Sequence, residues 1–313
     1  MNTKSVIIIG AGACGLSLAH FLNQQGKSVT LIEKSKSVGG RMATRRQGEA
    51  VFDHGAQFYR HSSPRPIFWH DQMQMRNASR LWFKDEAGVE HYVGNQGITQ
   101  IAKALRESCH EFLFSELVIK IVKQQNLLQV VCSSGATYLA EKVVLTCPIP
   151  QSLDILKASG FCYPPELEKI QYAKALVGLF ETQNEVAFKL GNSAYINPKG
   201  SIFSVANNYL KKISPVPSYT VVMNPEFSET HFDVAEDKVT NQIESLFQEQ
   251  LVASVDVTFR QLKKWRFSHP ETIYSTKFCH LSEVPHLFLG GDAFGGGSIN
   301  GAVQSALAIG QYL

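Results

Sequence analysis

The chain contains 313 residues, which is enough for one large domain or two medium ones, because domains commonly have about 100–200 residues. Hydrophobic residues make up 44% and charged residues 18% of the chain, as in ordinary globular proteins. The net charge of +3 gives no reason to expect nucleic acid or a membrane surface as a partner, and no apolar run approaches the roughly 20 residues of a membrane helix.

The N-terminal residues "MNTKSVIIIG" enter a strand at once, so we expect no signal peptide and a cytoplasmic location. The six cysteines form no C-x-x-C pair. We therefore expect reduced, mostly buried thiols and no metal site.

The first predicted unit is a βαβ element. Residues 5–9 form a short apolar run typical of a strand buried on both faces, residues 15–25 have helical spacing, and 28–32 form a second strand that ends at Glu33. Between strand and helix lies G-x-G-x-x-G, which comprises Gly10, Gly12 and Gly15. This pattern predicts a dinucleotide site, with phosphates at the helix start (Ala13, Cys14) and Glu33 on a ribose without a 2′-phosphate.

A second glycine turn follows in "KSKSVGGRMATRR". It is either a basic surface loop or a second contact to the same pyrophosphate, with Arg41 as the countercharge. Glu-x(5)-Gly-Gly-Arg after a Rossmann unit resembles the two-dinucleotide-binding-domain flavoproteins of the amine oxidase and glutathione reductase superfamily. That resemblance implies FAD as the cofactor. Lys34, Gly40, Arg41 and Met42 then belong to the cofactor site.

The segment "FDHGAQFYRHSSPRP" is the expected flavin-facing stretch. His54, Gly55 and Ala56 are assigned to cofactor contact, because small residues allow the chain to run close to a ring. Gln57 is a candidate for hydrogen bonding to a flavin edge or a substrate carboxamide. Tyr59, Trp265 and Phe294 are candidate walls, although core packing is the ordinary role of an aromatic side chain. His54 and His269 are each interpreted as structural rather than catalytic.

The middle of the chain contains further predicted strands. "SELVIKIVKQQN" is one that, by the resemblance, passes the adenine near Val118, and "EKVVLTCPIP" is another that returns to the flavin domain at Cys147. A mixed sheet over the flavin is expected from "KALVGLFE", "SIFSVANN", "SYTVVMNP" and "DVTFRQLKKW", with one helix in "DVAEDKVTNQIESLFQEQL". "KKISPVPS" is predicted to be an exposed loop. Solvated surface charge is the favoured interpretation of five cations that are also candidates for substrate phosphates: Arg60, Arg65, Lys211, Lys212 and Arg266.

The end of the chain, "HLFLGGDAFGGGSINGAVQSALAIGQYL", predicts a strand, a glycine loop and a terminal helix. In the resembled superfamily, Gly291 and Asp292 approach the ribityl or the pyrophosphate. Backbone N–H groups near Gly301, Ala302 and Val303 would face the flavin pyrimidine. Asn300 is a candidate substrate partner. No cysteine lies in this loop, so FAD is expected to be noncovalent.

The motifs "GGRMATRR", "FDHGAQFY", "KKWRFS" and "GGDAFGGGSINGAVQSALA" occur in an order that resembles renalase and its bacterial relatives. The resemblance is spread over about residues 5–313. It implies oxidation of 2- and 6-dihydro isomers of NADH and NADPH, with oxygen as acceptor and hydrogen peroxide as product. An amine oxidase or another FAD-dependent dehydrogenase of a small organic substrate is one alternative, and a flavin-binding protein without turnover is another.

The predicted fold class is α/β: an FAD-binding, Rossmann-like domain of the two-dinucleotide-binding-domain flavoprotein type, with a second α+β substrate domain. We expect the FAD-binding domain to comprise residues 1–58, 97–150 and 275–313. The substrate domain would comprise residues 59–96 and 151–274.

Overall fold

The computed structural model describes residues 3–61, 67–107, 109, 111–191 and 194–313. Its strands, in chain order, are β1 Lys4–Ile9, β2 Val29–Glu33, β3 Thr44–Gln47, β4 Ala50–Asp53, β5 Tyr59–His61, β6 Ser79–Lys84, β7 Glu90–Gly94, β8 Glu111–Phe114, β9 Val118–Gln124, β10 Leu127–Cys132, β11 Thr137–Leu145, β12 Tyr172–Thr182, β13 Tyr195–Ile196, β14 Ile202–Asn207, β15 Ser218–Met223, β16 Val257–Pro270, β17 Cys279–His280 and β18 Leu287–Leu289.

The helices are α1 Ala13–Gln24, α2 His70–Met75, α3 Thr99–Arg106, α4 Ile149–Ser159, α5 Pro225–His231, α6 Glu236–Gln248, α7 Asp292–Gly295 and α8 Ser298–Tyr312, with a 3₁₀ turn at Pro165–Lys169. None of the helices in the described ranges is both long and apolar enough to cross a bilayer.

The largest sheet confirms the predicted βαβ unit. Its main path runs β17-β18-β11-β1-β2-β8, with β18, β11, β1, β2 and β8 parallel, and β10 and β9 extending from β11 as a hairpin. Strand β1 is buried on both faces, as its continuous apolar run predicts. Ile8 packs in the core beneath α1 and α8, and Ile7 packs in the core that includes α4.

A five-stranded sheet, ordered β13-β14-β15-β12-β16, forms the second major layer. Every strand pair in it is antiparallel, so the expectation of a mixed sheet was wrong. Consecutive strands that return by hairpins or short excursions pair antiparallel, whereas parallel pairing requires a crossover. One face packs against α6, and the other packs Ala175, Val177 and Leu179 against Phe52 of β4.

A small sheet of β5, β7 and β6 lies against the first core. Tyr59, Trp69 and Tyr92 bury their rings with α1, α3 and α8 in one apolar cluster. This small sheet therefore packs directly on the helices beside the βαβ unit. The division into two discontinuous domains stays a prediction.

Candidate functional site

A cavity of about 1140 Å³ lies between the carboxyl ends of the parallel strands and the five-stranded sheet. One end is lined by the first glycine loop, Glu33 and Val118, and the other by Phe203, Val222 and Trp265. Ligands of open α/β sheets bind at the carboxyl ends of the strands. Small-molecule sites commonly enclose about 300–1,000 Å³, so this cavity is slightly larger than most of them.

Most of the predicted cofactor residues line this cavity: Gly10, Gly12, Ala13, Cys14, Glu33, Lys34, Gly40, Arg41, Met42, His54, Gly55, Ala56, Gln57, Val118, Cys147, Gly291, Asp292 and Ala302. Trp265 and His269 line it as well. Six other residues predicted for the site do not line the cavity: Gly15, Tyr59, Phe294, Asn300, Gly301 and Val303. The atomic roles of these residues toward a ligand stay predictions.

The first glycine loop has the tight geometry that its sequence predicts. Gly10 adopts φ +104°, a conformation that favours glycine, and donates its N–H to Ile32 O at 2.8 Å. A Cβ on Gly15 would lie 2.0 Å from Gly10 O, so only glycine lets α1 start so close to β1. No side chain in the described part of the chain caps α1, which leaves the N–H groups of its first turn available to an anion.

The Glu33 carboxylate is anchored by the backbone on both oxygens. Ala11 N–H donates to Oε2 and Ser35 N–H donates to Oε1, each at 2.8 Å. Glu33 is 8% exposed and still lines the cavity. It thus fixes the first glycine loop in addition to the ribose contact expected of it.

The second glycine turn closes directly onto the first. Gly39 N–H donates to Ala11 O at 2.8 Å, and a Cβ on Gly40 would lie 3.3 Å from the Gly12 Cα. The two turns therefore form one continuous backbone surface. The glycines of this stretch are thus packed against the first loop, whereas its basic residues Lys36, Arg45 and Arg46 are exposed, as in a surface loop.

Arg41 is paired within the protein. Its two terminal nitrogens donate to the Asp292 carboxylate at 2.6 and 2.8 Å, and Nη1 also donates to Ser268 O at 3.1 Å. Burial alone would lower the Arg41 pKa, but Asp292 and Tyr172 more than offset this and raise it. Arg41 therefore ties the second glycine turn to the start of α7, and its expected role as the countercharge of a pyrophosphate stays a prediction.

Residues 54–57 follow β4 along the cavity wall. Two of them, Gly55 and Gln57, make close contacts with neighbouring backbone groups. A Cβ on Gly55 would lie 2.0 Å from Arg41 O, so its small size is required by the neighbouring chain segment. The Gln57 amide donates to Asp53 O at 2.6 Å and to Gly55 O at 3.2 Å. Gln57 thus holds this segment together through its amide N–H groups, and its contact with a flavin edge or a substrate carboxamide stays a prediction.

His54 and Trp265 form an aromatic wall of the cavity. Their rings stack with centroids 5.5 Å apart, and Trp265 Nε1–H donates to His54 O at 2.8 Å. Burial, followed by the charge of Lys263, lowers the pKa of His54 to about 4, so its imidazole is neutral near pH 7. The His54 Nδ1 is buried and has no partner within the described part of the chain, so it is available to a bound group.

Lys211 is a buried residue that the sequence placed on the surface. Its Nζ donates to Asp53 Oδ2 at 2.8 Å and to Gln57 O at 2.7 Å, and both charged side chains are 0% exposed. Burial lowers the pKa of Lys211. Most of "KKISPVPS" is not an exposed loop either, because Ile213, Ser214 and Ser218 are buried. The loop inserts beneath the cavity segment 54–57.

Two candidate aromatic walls belong to the core. Tyr59 is 1% exposed and its hydroxyl contacts His70 Nδ1 at 3.0 Å and Ser79 Oγ at 2.8 Å. Phe294 is also 1% exposed and lies in the core beneath the large sheet. Phe58 lines the cavity in place of Tyr59. Successive side chains of an extended segment point to opposite faces. Of two neighbouring residues, one can therefore line the cavity while the other is buried in the core.

The start of α8 also differs from the prediction. Gly301 N–H donates to Gly297 O at 2.9 Å, so it is not available to a flavin, and Gly301 packs against Gly295. Val303 is fully buried. The Asn300 side chain bridges the backbone of Arg60, accepting from N at 3.2 Å and donating to O at 2.7 Å. Of this helix, Ser298, Ile299 and Ala302 reach the cavity.

The cavity thiols are protonated. Burial raises the pKa of Cys14 to about 12, and burial also raises the pKa of Cys147. Of the cations suggested for phosphate binding, Arg266 lines the cavity, Lys212 and Arg60 are exposed elsewhere, and Arg65 lies outside the described residues. Among the residues that the structure describes, no group of histidine, cysteine and acidic side chains could hold a metal ion.

Sequence reasoning missed the residues that the five-stranded sheet contributes: Lys174, Tyr195, Phe203, Met223 and Ser268. Several lie at strand ends or bulges. Ala173 pairs with His269 and Ala175 pairs with Trp265, so three residues of β16 face Lys174 alone. Hydrophobic periodicity cannot locate such a bulge, because it shifts the register of the strand.

Comparison with known proteins identifies the class. The profile of the family "Flavin containing amine oxidoreductase" matches residues 62–309, and that of an NAD(P)-binding Rossmann-like domain matches residues 8–71. A solved structure of a candidate protoporphyrinogen oxidase from Exiguobacterium sp. 255-15 superposes with a TM-score of 0.77 at 13% identity, covering 100% of this chain and 99% of that one. At that identity the likeness shows the fold alone.

The similar curated proteins match only in short segments. An L-amino acid oxidase of Cerastes cerastes is 48% identical over 48 residues, which is 15% of this chain and 9% of the relative. A lysine-specific histone demethylase 1 homologue of Arabidopsis thaliana is 47% identical over 51 residues, 16% of this chain and 3% of the relative. These matches thus cover less than a tenth of the relatives' length.

The fold and these family matches define the class, a flavoprotein with a Rossmann-like fold. The chain belongs to the flavin containing amine oxidoreductase family, and its cofactor is FAD. The residues present fit this group. The two glycine turns offer backbone that a pyrophosphate can approach closely, and Glu33 lines the same end of the cavity. Within the described residues, the buried Nδ1 of His54 has no hydrogen-bond partner.

Proposed function

We propose that the protein is an FAD-dependent oxidase of 2- and 6-dihydro isomers of NADH and NADPH, with oxygen as electron acceptor. One observation carries the proposal: a single continuous cavity joins the glycine cradle to the five-stranded sheet. The sequence contains no second G-x-G-x-x-G. A nucleotide donor therefore has to approach the flavin from the sheet end of this cavity.

The charge at the sheet end supports an anionic or neutral donor over an amine. Among the described residues, the lining contributed by β12–β16 includes Lys174 and Arg266 but no carboxylate. A protonated amine would meet two like charges there, of which Glu229 offsets that of Lys174 alone. Short similarity to L-amino acid oxidases nevertheless favours oxidation of an amino acid or amine as the second candidate.

In the proposed reaction, FAD supplies hydride-acceptor chemistry, and the electrons pass on to oxygen to give hydrogen peroxide. The residues of the chain position the substrate. The Trp265 ring offers a flat wall on which a planar dihydropyridine can stack, and His54 holds that ring through its backbone oxygen. Because His54 is neutral near pH 7, it adds no positive charge beside a nicotinamide that becomes cationic. A dihydropyridine loses hydride without the help of a general base. The residues that line the cavity therefore need not include one.

The test is anaerobic stopped-flow bleaching of the flavin in the purified holoprotein. The 2- and 6-dihydro isomers should bleach it much faster than ordinary 4-dihydro NADH, primary amines or L-amino acids. Rapid bleaching by amines or amino acids alone would replace the proposal with the second candidate. Bleaching by none of these donors would leave a flavin-binding protein without turnover of this class.

A further inference from the structure

Three cationic side chains lie around one buried aromatic ring, that of Phe232. Lys174 Nζ lies 4.9 Å, Arg266 Cζ 5.3 Å and Lys264 Nζ 5.7 Å from the ring centroid of Phe232. We call Lys174, Lys264 and Arg266 the cationic cluster. Lys174 belongs to β12, the other two belong to β16, and Phe232 follows α5. The face of the ring attracts cations and helps to hold the three together against their mutual repulsion.

The charge of the cationic cluster is only partly balanced. Lys174 pairs with Glu229 at 2.8 Å, a carboxylate whose side chain is 67% exposed. Lys264 donates to the backbone oxygens of Phe232 and Val234 at 2.6 and 3.4 Å. Arg266 makes no hydrogen bond or ion pair within the described ranges, and no described carboxylate except Glu229 lies within ion-pair distance of the cluster. About two positive charges therefore remain available.

Two members of the cluster open onto the cavity. Lys174 and Arg266 both line it, together with Trp265, Phe267 and Ser268. The bulge of β16 explains this arrangement, because Arg266, Phe267 and Ser268 stand opposite Lys174 alone. Bulges re-aim side chains next to functional sites. Within this bulge, Ser268 O accepts a hydrogen bond from Arg41 at 3.1 Å. Arg41 therefore fixes the position of the bulge from the side of the second glycine turn.

We infer that Lys174 and Arg266 form an anion subsite for a phosphate of the substrate, which selects phosphorylated donors for the cavity. The inference rests on the proposed function. It adds that the substrate accepted at the sheet end of the cavity carries a phosphate group. A planar guanidinium beside an ammonium suits a phosphate, since the guanidinium binds two oxygens at once and the ammonium supplies a compact charge. Arg266 carries the charge that no described carboxylate offsets, and Lys174 beside it shares its own charge with the exposed Glu229.

The experiment compares phosphate-bearing and phosphate-free donors. In the holoprotein, flavin reduction is titrated with 6-dihydronicotinamide mononucleotide and with the corresponding riboside, which differ only in the phosphate. The wild-type protein should prefer the mononucleotide. Arg266→Gln should reduce that preference, measured as the ratio of the two Kd values, by about 10–100-fold, the loss typical of one charged hydrogen-bonded contact. Arg260→Gln, on the same strand but outside the cavity, is the matched control and should keep the wild-type ratio.

An Arg266→Gln protein with the wild-type ratio would overturn the subsite. So would an equal preference for riboside and mononucleotide in the wild-type protein. If no dihydronicotinamide reduces the flavin, the proposed function fails, and the subsite is tested separately by titrating the holoprotein with inorganic phosphate and acetate, followed by flavin absorbance. Phosphate binding that Arg266→Gln weakens at least tenfold would support the subsite. Binding of acetate but not phosphate would assign the cluster to a carboxylate and overturn it.

Discussion

Glu33 illustrates how one side chain serves both the fold and the cofactor. Its two carboxylate oxygens accept N–H groups from Ala11 and Ser35, and the same group lines the cavity where the adenosine ribose is expected. A neutral amide at this position can accept only one of the two N–H groups and presents its own N–H groups to the other. The glycine loop and the ribose contact should therefore weaken together.

We predict that Glu33→Gln raises the Kd for FAD by about 10–150-fold, since a hydrogen bond to a charged group contributes roughly 1.5–3 kcal/mol. The measurement is a fluorescence titration of the apoprotein with FAD. Glu141→Gln, an exposed glutamate of β11, is the matched control and should bind FAD as the wild type does. An unchanged Kd in Glu33→Gln would show that the carboxylate does not contact the cofactor.

His54 gives the stability of the protein a defined pH dependence. Burial, and next the charge of Lys263, lowers its pKa from 6.5 to about 4 in the folded state. Between these pH values the unfolded chain binds a proton at His54 and the folded chain does not. The free energy of unfolding should therefore fall as the pH falls from 6.5 to about 4.

The full shift corresponds to at most about 3 kcal/mol, and the partial exposure of His54 reduces it. We predict that urea denaturation at pH 7.5 and pH 5 shows a smaller loss of stability in His54→Gln than in the wild type. The exposed His269→Gln should lose as much as the wild type. Equal losses in all three proteins would assign the acid sensitivity to other groups.

At the scale of elements, the βαβ unit could be predicted from the sequence because its pattern is local. Apolar strands, helical spacing and glycines at fixed offsets all lie within residues 4–33, and β1, α1 and β2 have the predicted bounds to within two or three residues. What failed depended on pairing between distant segments. The all-antiparallel sheet, the bulge opposite Lys174 and the choice of Phe58 over Tyr59 are set by strand register, which local periodicity does not specify.

The elements around the cavity also predict how the flavin is attached. The first residue of α8, Ser298, lines the cavity and carries no thiol. The two cysteines on the wall, Cys14 and Cys147, both have raised pKa values. The thiolate is the nucleophilic form of cysteine, and burial suppresses it in both. We predict that acid precipitation of the holoprotein releases all of its yellow colour into the supernatant. Colour that stays with the pellet would demonstrate a covalent bond to the chain.

At the scale of the whole molecule, the Lys211–Asp53 pair joins the five-stranded sheet to the cofactor side. Lys211 lies in the connection between β14 and β15, whereas Asp53 ends β4 and also accepts from Thr44 Oγ1 at 2.7 Å and Ile98 N at 2.8 Å. The Lys211 ammonium lies 4.8 Å from the Trp82 ring centroid, which adds the small sheet to the same contact. Polar composition and two prolines suggested a solvated loop, and only the tertiary structure reveals the partner of this lysine.

We predict that Lys211→Met lowers the free energy of unfolding by about 3–5 kcal/mol, because it leaves the Asp53 charge buried without its cation. The segment 54–57 should loosen with it, since Lys211 also binds Gln57 O, so the purified variant should retain less FAD. Urea denaturation and the ratio of flavin to protein absorbance measure the two effects. The neighbouring, exposed Lys212→Met is the matched control and should stay within about 0.5 kcal/mol of the wild type. If Lys211→Met loses stability but keeps full flavin content, the pair supports the fold alone, and if it loses neither, the buried pair does not join the two sides.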